Sequence, residues 1–151
     1  MHERLPHARA QFERGDHAAA EREVRAVLRD EEGNAEALDL LGRIHVERRE
    51  YAEAQEVLLR ASHPMRPWPD ALARLATVCN RTGRHEAAIK LADMALVARP
   101  GHVEALVETG IAMRALGQYA HAKDALEPVR EDPRAALALA ETHLREGDLG
   151  R

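Results

Sequence analysis

The feature that most constrains this chain is a sequence repeat of 34 residues. Four blocks carry similar residues at equal positions, and they begin at Met1, Ala35, Pro69 and Val103. Position eight of a block is always small, position twenty is always alanine, and position fifteen is glycine in three of the four blocks. A fifth, partial block begins at Pro133. Repeats of this length are typical of solenoids, in which each unit buries its apolar face against its neighbours.

Each block contains two stretches of helical periodicity around a central turn, and no stretch alternates as a strand does. Helices are predicted at 2–14, 17–30, 35–48, 51–62, 69–82, 85–98, 103–116, 119–130 and 133–146. Pro128 is expected to end or kink the eighth helix early. The sequence therefore predicts an all-α fold, an α-solenoid of antiparallel helix pairs.

The length of the chain is that of a single domain, which we expect over residues 1–151. Its repeats are expected at 1–34, 35–68, 69–102 and 103–132, with a partial repeat or capping helix at 133–151.

The second and third blocks carry the most regular pattern of residues. It consists of Leu41, Gly42, Tyr51, Ala54, Leu58 and Ala61, and then of Leu72, Gly83, Ala88, Ala95 and Pro100. This pattern resembles the tetratricopeptide repeat family, and the resemblance covers essentially the whole chain. It implies a right-handed superhelix whose concave face is lined by the first helix of each pair and binds an extended peptide or a partner helix.

The chaperone-binding members of that family hold a C-terminal carboxylate with a clamp of lysine, asparagine and arginine. The corresponding inward positions here carry Leu5, Arg9, Asp39, Arg43, Ala73 and Thr77, which do not form that clamp. The resemblance therefore does not imply binding of a chaperone tail.

Positions two, five, nine, twelve and thirteen of the first helices are expected to face inward and define a candidate peptide-binding groove. It comprises Asp39, Arg43, Val46, Glu47, Thr77, Asn80, Arg81, Val107, Ile111 and Arg114. We expect Arg43, Arg81 and Arg114 to form a ladder that reads carboxylates on a peptide with both acidic and apolar anchors. The alternative is that these arginines are solvated or pair with Glu47 and Asp39.

Composition and charge exclude several other functions. Charged residues make up 32% of the chain, the net charge is −4 and aromatic residues are 3%, which disfavours nucleic-acid binding. The single cysteine, Cys79, allows no intrachain disulfide. No segment has the roughly 18 apolar residues of a membrane span, and the N-terminus does not resemble a signal peptide. We therefore expect a cytoplasmic protein without membrane insertion.

Metal, cofactor and catalytic sites are not predicted. The nine histidines have no ligand spacing, and neither a phosphate-binding loop nor a nucleophile elbow is present. Cys79 falls in a core position, where thiols are usually inert. Trp68, the only tryptophan, is expected either to pack on the start of the fifth helix or to be an exposed anchor for a partner.

The last predicted helix, at 133–146, is apolar on more than one face. Leu137, Leu139 and Leu144 are therefore candidates for self-association, and the following GDLGR segment is expected to begin a turn. The function that the sequence favours is a non-catalytic scaffold for protein–protein interaction. Two alternatives are an N-terminal repeat module of a longer enzyme, such as a sulfotransferase or glycosyltransferase, and a scaffold that self-assembles through this helix.

Overall fold

The structure is a computed structural model in which residues 3–149 are described. This part of the chain contains no strand, and its helices follow the repeat. They are α1 (Arg4–Glu13), α2 (His17–Asp30), α3 (Ala35–Glu47), α4 (Tyr51–Ala61), α5 (Pro69–Arg81), α6 (His85–Ala98), α7 (Val103–Ala115), α8 (Tyr119–Leu126) and α9 (Pro133–Leu149). The predicted all-α repeat fold is confirmed, and α1 to α7 end within two residues of their predicted bounds.

The chain divides into two compact units, which we call unit 1 (Met1–Ala71) and unit 2 (Leu72–Arg151). In unit 1, α1 packs on α2, α2 on α3, and α3 on α4. In unit 2, α6 packs on α7, α7 on α8, and α9 on both α7 and α8. The boundary between the units falls within α5, so this helix belongs to unit 2 from Leu72 onward. There, Leu72, Ala76 and Cys79 share a core cluster with residues of α6 and α7.

Position eight is glycine in the second and fourth blocks because it lies against the leucine at position twenty-four of the same block. A Cβ added to Gly42 would lie 2.4 Å from Cδ2 of Leu58, and one added to Gly110 would lie 2.3 Å from Cγ of Leu126. Where position eight is alanine, position twenty-four is smaller, and the residues there are Val24 and Ala92. The glycine–leucine and alanine–valine pairs thus have a similar total volume at this contact, as close packing requires, whereas the alanine–alanine pair of the third block is smaller.

The turn after the first helix of a block needs a left-handed residue at position fifteen. Gly15, Gly83 and Gly117 have φ angles of 84°, 78° and 77°, and the non-glycine Arg49 has a φ of 61°. Gly147, at the same position of the fifth block, has no positive φ and lies inside α9, which continues to Leu149. The expectation of a turn in the GDLGR segment is wrong for Gly147, Asp148 and Leu149, and its last two residues lie outside the described part.

Two proline-rich segments interrupt the regular pattern. The eighth helix ends at Leu126, and Glu127–Val129 continue as a 3-10 turn with Pro128 inside it, which confirms the predicted early end. In the segment before α5, the backbone N–H of Trp68 donates to Oγ of Ser62 over 3.1 Å. Trp68 is half-buried, and its expected role as a packing residue or as an anchor for a partner stays a prediction.

Candidate functional site

In unit 2, the first helices of three successive blocks, α5, α7 and α9, line a pocket of about 260 Å³. Asn80 and Arg81 reach it from the end of α5, and Ile111 and Arg114 reach it from α7. These four residues were all predicted to line the groove. The pocket is completed by Glu108 of α7 and by four residues of α9, which are Arg134, Leu137, Ala138 and Glu141.

A buried carboxylate lies beside this pocket. The side chain of Glu108 accepts hydrogen bonds from Oγ1 of Thr77 at 2.8 Å, Nδ2 of Asn80 at 2.8 Å and Nη2 of Arg134 at 2.6 Å. Glu108 is only 1% exposed. A buried charge is tolerated only when it is paired and hydrogen-bonded, and these three donors, one of them cationic, meet that condition.

The orientation of Asn80 is fixed from both ends of its amide. Nδ2 donates to the backbone oxygen of Glu108 over 2.9 Å as well as to its carboxylate. Oδ1 lies 3.0 Å from Nδ1 of His85 and accepts a hydrogen bond when that nitrogen carries the proton. Asn80 is therefore a structural link between α5, α6 and α7, and its amide has little freedom to rotate toward a ligand.

A second acidic group extends this network on α7. Nη1 of Arg74 donates to the carboxylate of Glu104 over 3.1 Å. Burial raises the pKa of Glu104 above its usual range, and the nearby charges of Arg74 and Arg134 only partly offset this effect. Unit 2 thus contains two partly or fully buried carboxylates on one face of a single helix.

The three arginines of the pocket differ in how they are engaged. Arg134 is bound to buried Glu108, and Arg114 forms an ion pair with Glu141. Arg81 is exposed, and its guanidinium has no ion-pair partner within residues 3–149. With three guanidinium groups and two carboxylates, the pocket carries one net positive charge at neutral pH.

The pocket also offers apolar surface next to these charges. Ile111 is partly buried against the core, and Leu137 is 62% exposed although it is a large aliphatic residue. Exposed aliphatic surface beside an unpaired guanidinium is suited to a ligand that carries an apolar group close to a negative charge.

Some predicted groove residues of unit 2 do not face the pocket. Val107 is fully buried in a core cluster with Leu126 and residues of α9, so its prediction as a groove residue is wrong. Thr77 is buried, and its hydroxyl is used by Glu108. Leu139, predicted for self-association, is 8% exposed and belongs to the same core cluster, whereas Leu137 and Leu144 are 62% and 68% exposed. Self-association stays a prediction.

The remaining predicted groove residues belong to unit 1. Arg43 lies with its guanidinium carbon 4.5 Å from the ring centroid of Phe12, and its Nη2 is 3.4 Å from the carboxylate of Glu13. Arg43 therefore contacts α1, and its ion-pair partner there is neither of the expected residues, Glu47 and Asp39. Asp39 and Val46 are buried, so Val46 offers no binding surface, and Glu47 is exposed.

Three charged residues of the site were missed by the sequence prediction. Arg134 and Glu141 occupy positions two and nine of the fifth block, which are inward positions in the other blocks. Extending the groove prediction into the partial block would have found both. Glu108 lies at position six, where the other full blocks have Pro6, Leu40 and Arg74, and no pattern in the sequence marks it.

Within residues 3–149, no group of three or more histidine, cysteine or acidic side chains is placed to hold a metal ion. The helices of this part of the chain also lack a stretch with the length and hydrophobicity of a membrane span. Cys79 is buried, and burial raises the pKa of its thiol, which opposes the reactive thiolate form.

The sequence matches family models at three places. A model described as "Tetratricopeptide repeat" matches residues 5–67 and 58–103, and a second model of the same description matches residues 133–151. No curated protein gives a significant match.

Solved structures of similar fold are numerous. A thermophilic TPR protein of Thermus thermophilus is 21% identical with a TM-score of 0.82, and the match covers 99% of this chain and 84% of that one. MamA from Desulfovibrio magneticus RS-1 is 20% identical with a TM-score of 0.70, covering 96% and 84%. An O-GlcNAc transferase of Thermobaculum terrenum is 27% identical with a TM-score of 0.71, covering 83% of this chain but only 25% of the transferase.

Proposed function

Because the chain belongs to the tetratricopeptide repeat family, a fold that typically serves protein–protein interaction and not catalysis, we propose that it is a non-catalytic scaffold whose unit 2 pocket binds a partner peptide. The ligand is a segment in which a carboxylate lies next to an aliphatic side chain. The observation that carries the proposal is Arg81, an exposed guanidinium without an ion-pair partner in the described residues, at a pocket that also presents Leu137.

The chemistry of this pocket supports a two-point anchor. A guanidinium binds a carboxylate through parallel N–H donors, which gives both affinity and orientation. The aliphatic group of the ligand would cover Leu137 and Ile111 and remove their surface from water. The pocket volume of about 260 Å³ is small, so it suits one or two side chains of an extended peptide and not a whole helix.

Methyl NMR with short peptides tests this proposal. The probe is a blocked tetrapeptide, glycine-aspartate-leucine-glycine, titrated into protein labelled at the methyl groups of isoleucine and leucine. We expect the signals of Ile111 and Leu137 to shift with this probe. Replacing its aspartate by asparagine should weaken binding by about tenfold or more, because a charge-assisted hydrogen bond contributes about 1.5–3 kcal/mol.

Protein variants then assign the effect to the pocket. Arg81→Gln should markedly reduce the difference in affinity between the aspartate and asparagine probes. Arg130→Gln is the matched control, because Arg130 is an exposed arginine of the same unit that pairs with Glu127 outside the pocket. If no probe shifts Ile111 or Leu137, or if Arg81→Gln binds the acidic probe as the wild type does, the proposal is wrong.

A second candidate function is that of a repeat module in a larger enzyme. The observation that favours it is the 27% identity to a quarter of an O-GlcNAc transferase. The intact mass of the protein from its source cells distinguishes the two. A mass near the 16.8 kDa of the present chain supports the scaffold, and a much larger mass places the repeats beside further domains.

A further inference from the structure

The two carboxylates of the unit 2 pocket are held in very different ways. Glu108 is 1% exposed and bound by Thr77, Asn80 and Arg134. The side chain of Glu141 is 47% exposed, and Arg114 is its ion-pair partner. The carboxylate of Glu108 is therefore part of the framework of the unit. The carboxylate of Glu141 is half-exposed and has one ion-pair partner, so water can replace that partner more readily than it can replace the three donors of Glu108.

We propose that Glu141 is an internal competitor of the ligand. Its carboxylate occupies Arg114 when no ligand is bound, and an acidic ligand displaces it. The proposal rests on the proposed function, because it assigns regulation to the same pocket. Under this proposal, competition by Glu141 lowers the affinity of the pocket for acidic peptides.

The geometry supports competition in two respects. Arg114 is a predicted carboxylate reader that lines the pocket, and its side chain is only 19% exposed, so little of it is open to a second carboxylate while Glu141 is in place. Glu141 also brings a negative charge to the pocket wall and so repels any acidic ligand drawn by Arg81. Removing that charge changes the net charge of the pocket from one positive charge to two.

The test is to neutralise Glu141 without changing its shape and to titrate the aspartate-containing tetrapeptide. Glu141→Gln should bind this probe about three- to tenfold more tightly than the wild type, and the asparagine-containing probe should gain much less. Glu146→Gln is the matched control on the same helix. Glu146 pairs with Lys123 over 2.6 Å, its side chain is 45% exposed and it does not line the pocket, so its neutralisation should leave binding unchanged.

A second readout follows the displacement directly. In the wild type, adding the acidic probe should shift the side-chain carboxyl carbon signal of Glu141 and the Nε–Hε signal of Arg114 at the same probe concentration. A residue with a merely structural role would keep its ion pair, and the Glu141 carboxyl signal would not move.

The outcomes separate this inference from the proposed function. If Arg81→Gln loses acidic selectivity while Glu141→Gln binds like the wild type, the pocket binds acidic peptides but Glu141 is not a competitor. If Glu141→Gln binds more weakly, Glu141 helps the ligand and the inference is overturned. If none of the proteins binds either probe, the proposed function and this inference are both wrong.

Discussion

Position six of the repeat contrasts the two units of this molecule. In α3 of unit 1 it is Leu40, which is 2% exposed, and in α7 of unit 2 it is Glu108, which is 1% exposed within a polar network. The same helix–turn–helix unit thus accepts either interior. The contrast indicates that α3 gains stability from apolar burial at position six, whereas α7 exchanges part of that stabilisation for a charge held beside a pocket.

The largest expected effect comes from removing the buried carboxylate. Glu108→Ala should lower the free energy of unfolding by about 3 kcal/mol, near the low end for a broken buried ion pair, because half-exposed Arg134 can regain water. Leu40→Ala in unit 1 should cost a similar amount, about 2–5 kcal/mol, by leaving a cavity. Urea denaturation followed by circular dichroism measures both.

The contrast becomes sharper with isosteric and apolar variants. Glu108→Gln keeps one acceptor oxygen, which can serve Thr77 or Asn80 but not both, because these two donors bind different carboxylate oxygens. Its loss of stability should still be smaller than that of Glu108→Ala. Hydrogen exchange should locate the weakening in α7 and α9 for Glu108 variants and in α3 for Leu40→Ala. Equal losses for the alanine and glutamine variants would mean that the hydrogen bonds of Glu108 do not stabilise unit 2.

The next effect concerns the contact between positions eight and twenty-four, which involves a glycine once within each unit. Gly42→Ala and Gly110→Ala should each destabilise the protein by about 1–3 kcal/mol, because the new Cβ overlaps Leu58 or Leu126. The overlap outweighs the gain of up to about 1 kcal/mol from replacing a helical glycine. Urea denaturation of the two single variants measures the loss.

Second-site variants test whether volume is the cause. Leu58→Val combined with Gly42→Ala reproduces the Ala8 and Val24 combination of the first block, and the double variant should be more stable than Gly42→Ala alone. If the two substitutions add without coupling, the explanation of the small residue at position eight is incorrect.

The fold could be predicted from the sequence almost completely, and the reason is the repeat itself. Each block shows the pattern of the same helix pair independently. Small residues at equal positions, such as Gly42 and Gly110, therefore identify the contact between the two helices without information about the neighbouring blocks. The exception is Gly147, which shares position fifteen with turn residues yet lies in a helix. A glycine permits a left-handed turn but does not require one.

The site could be predicted only where the repeat determines it. Asn80, Arg81, Ile111 and Arg114 follow from the inward positions. The prediction for Val107 is wrong because its burial depends on contact with α9, which the pattern within its own block does not contain. Glu108 could not be found because the burial of its charge depends on partners from two other helices, α5 and α9.

The turns provide a smaller test of the comparison. Gly83→Ala in unit 2 should destabilise by about 1 kcal/mol, because φ is 78° there and L-residues with a side chain disfavour that region. Arg49→Gly in unit 1 should instead raise the free energy of unfolding by a few tenths of a kcal/mol. Glycine relieves the backbone strain at this position, and the greater entropy of the unfolded chain offsets most of that gain. Thermal unfolding of the Gly83→Ala and Arg49→Gly variants measures both changes in stability. Destabilisation by Arg49→Gly would show that the Arg49 side chain stabilises the protein by more than the strain at this position costs.

The smallest expected effect is a difference in pH dependence between the units. Burial acts to raise the pKa of Glu21 in unit 1, but hydrogen bonds from Arg48 and Arg25 outweigh it, and the pKa lies below the ordinary value of 4.5. Its stabilising contribution is therefore complete above about pH 4.5 and is lost as the pH falls through the lowered pKa. Burial raises the pKa of Glu104 in unit 2. Its contribution is present below about pH 4.5 and is lost as the pH rises through the raised pKa.

Glutamine variants of Glu21 and Glu104 allow the two opposite pH dependences of stability to be measured. Relative to Glu104→Gln, the wild type should gain stability as the pH is lowered from about 7 toward 4.5, because the folded state takes up the proton first. Relative to Glu21→Gln, the wild type should hold its advantage over that interval and lose it only at lower pH. Urea denaturation at several pH values gives both differences, in which the titration of all other groups cancels. The same sign for both variants would contradict the assignment of a desolvated carboxylate to unit 2 and a well-paired one to unit 1.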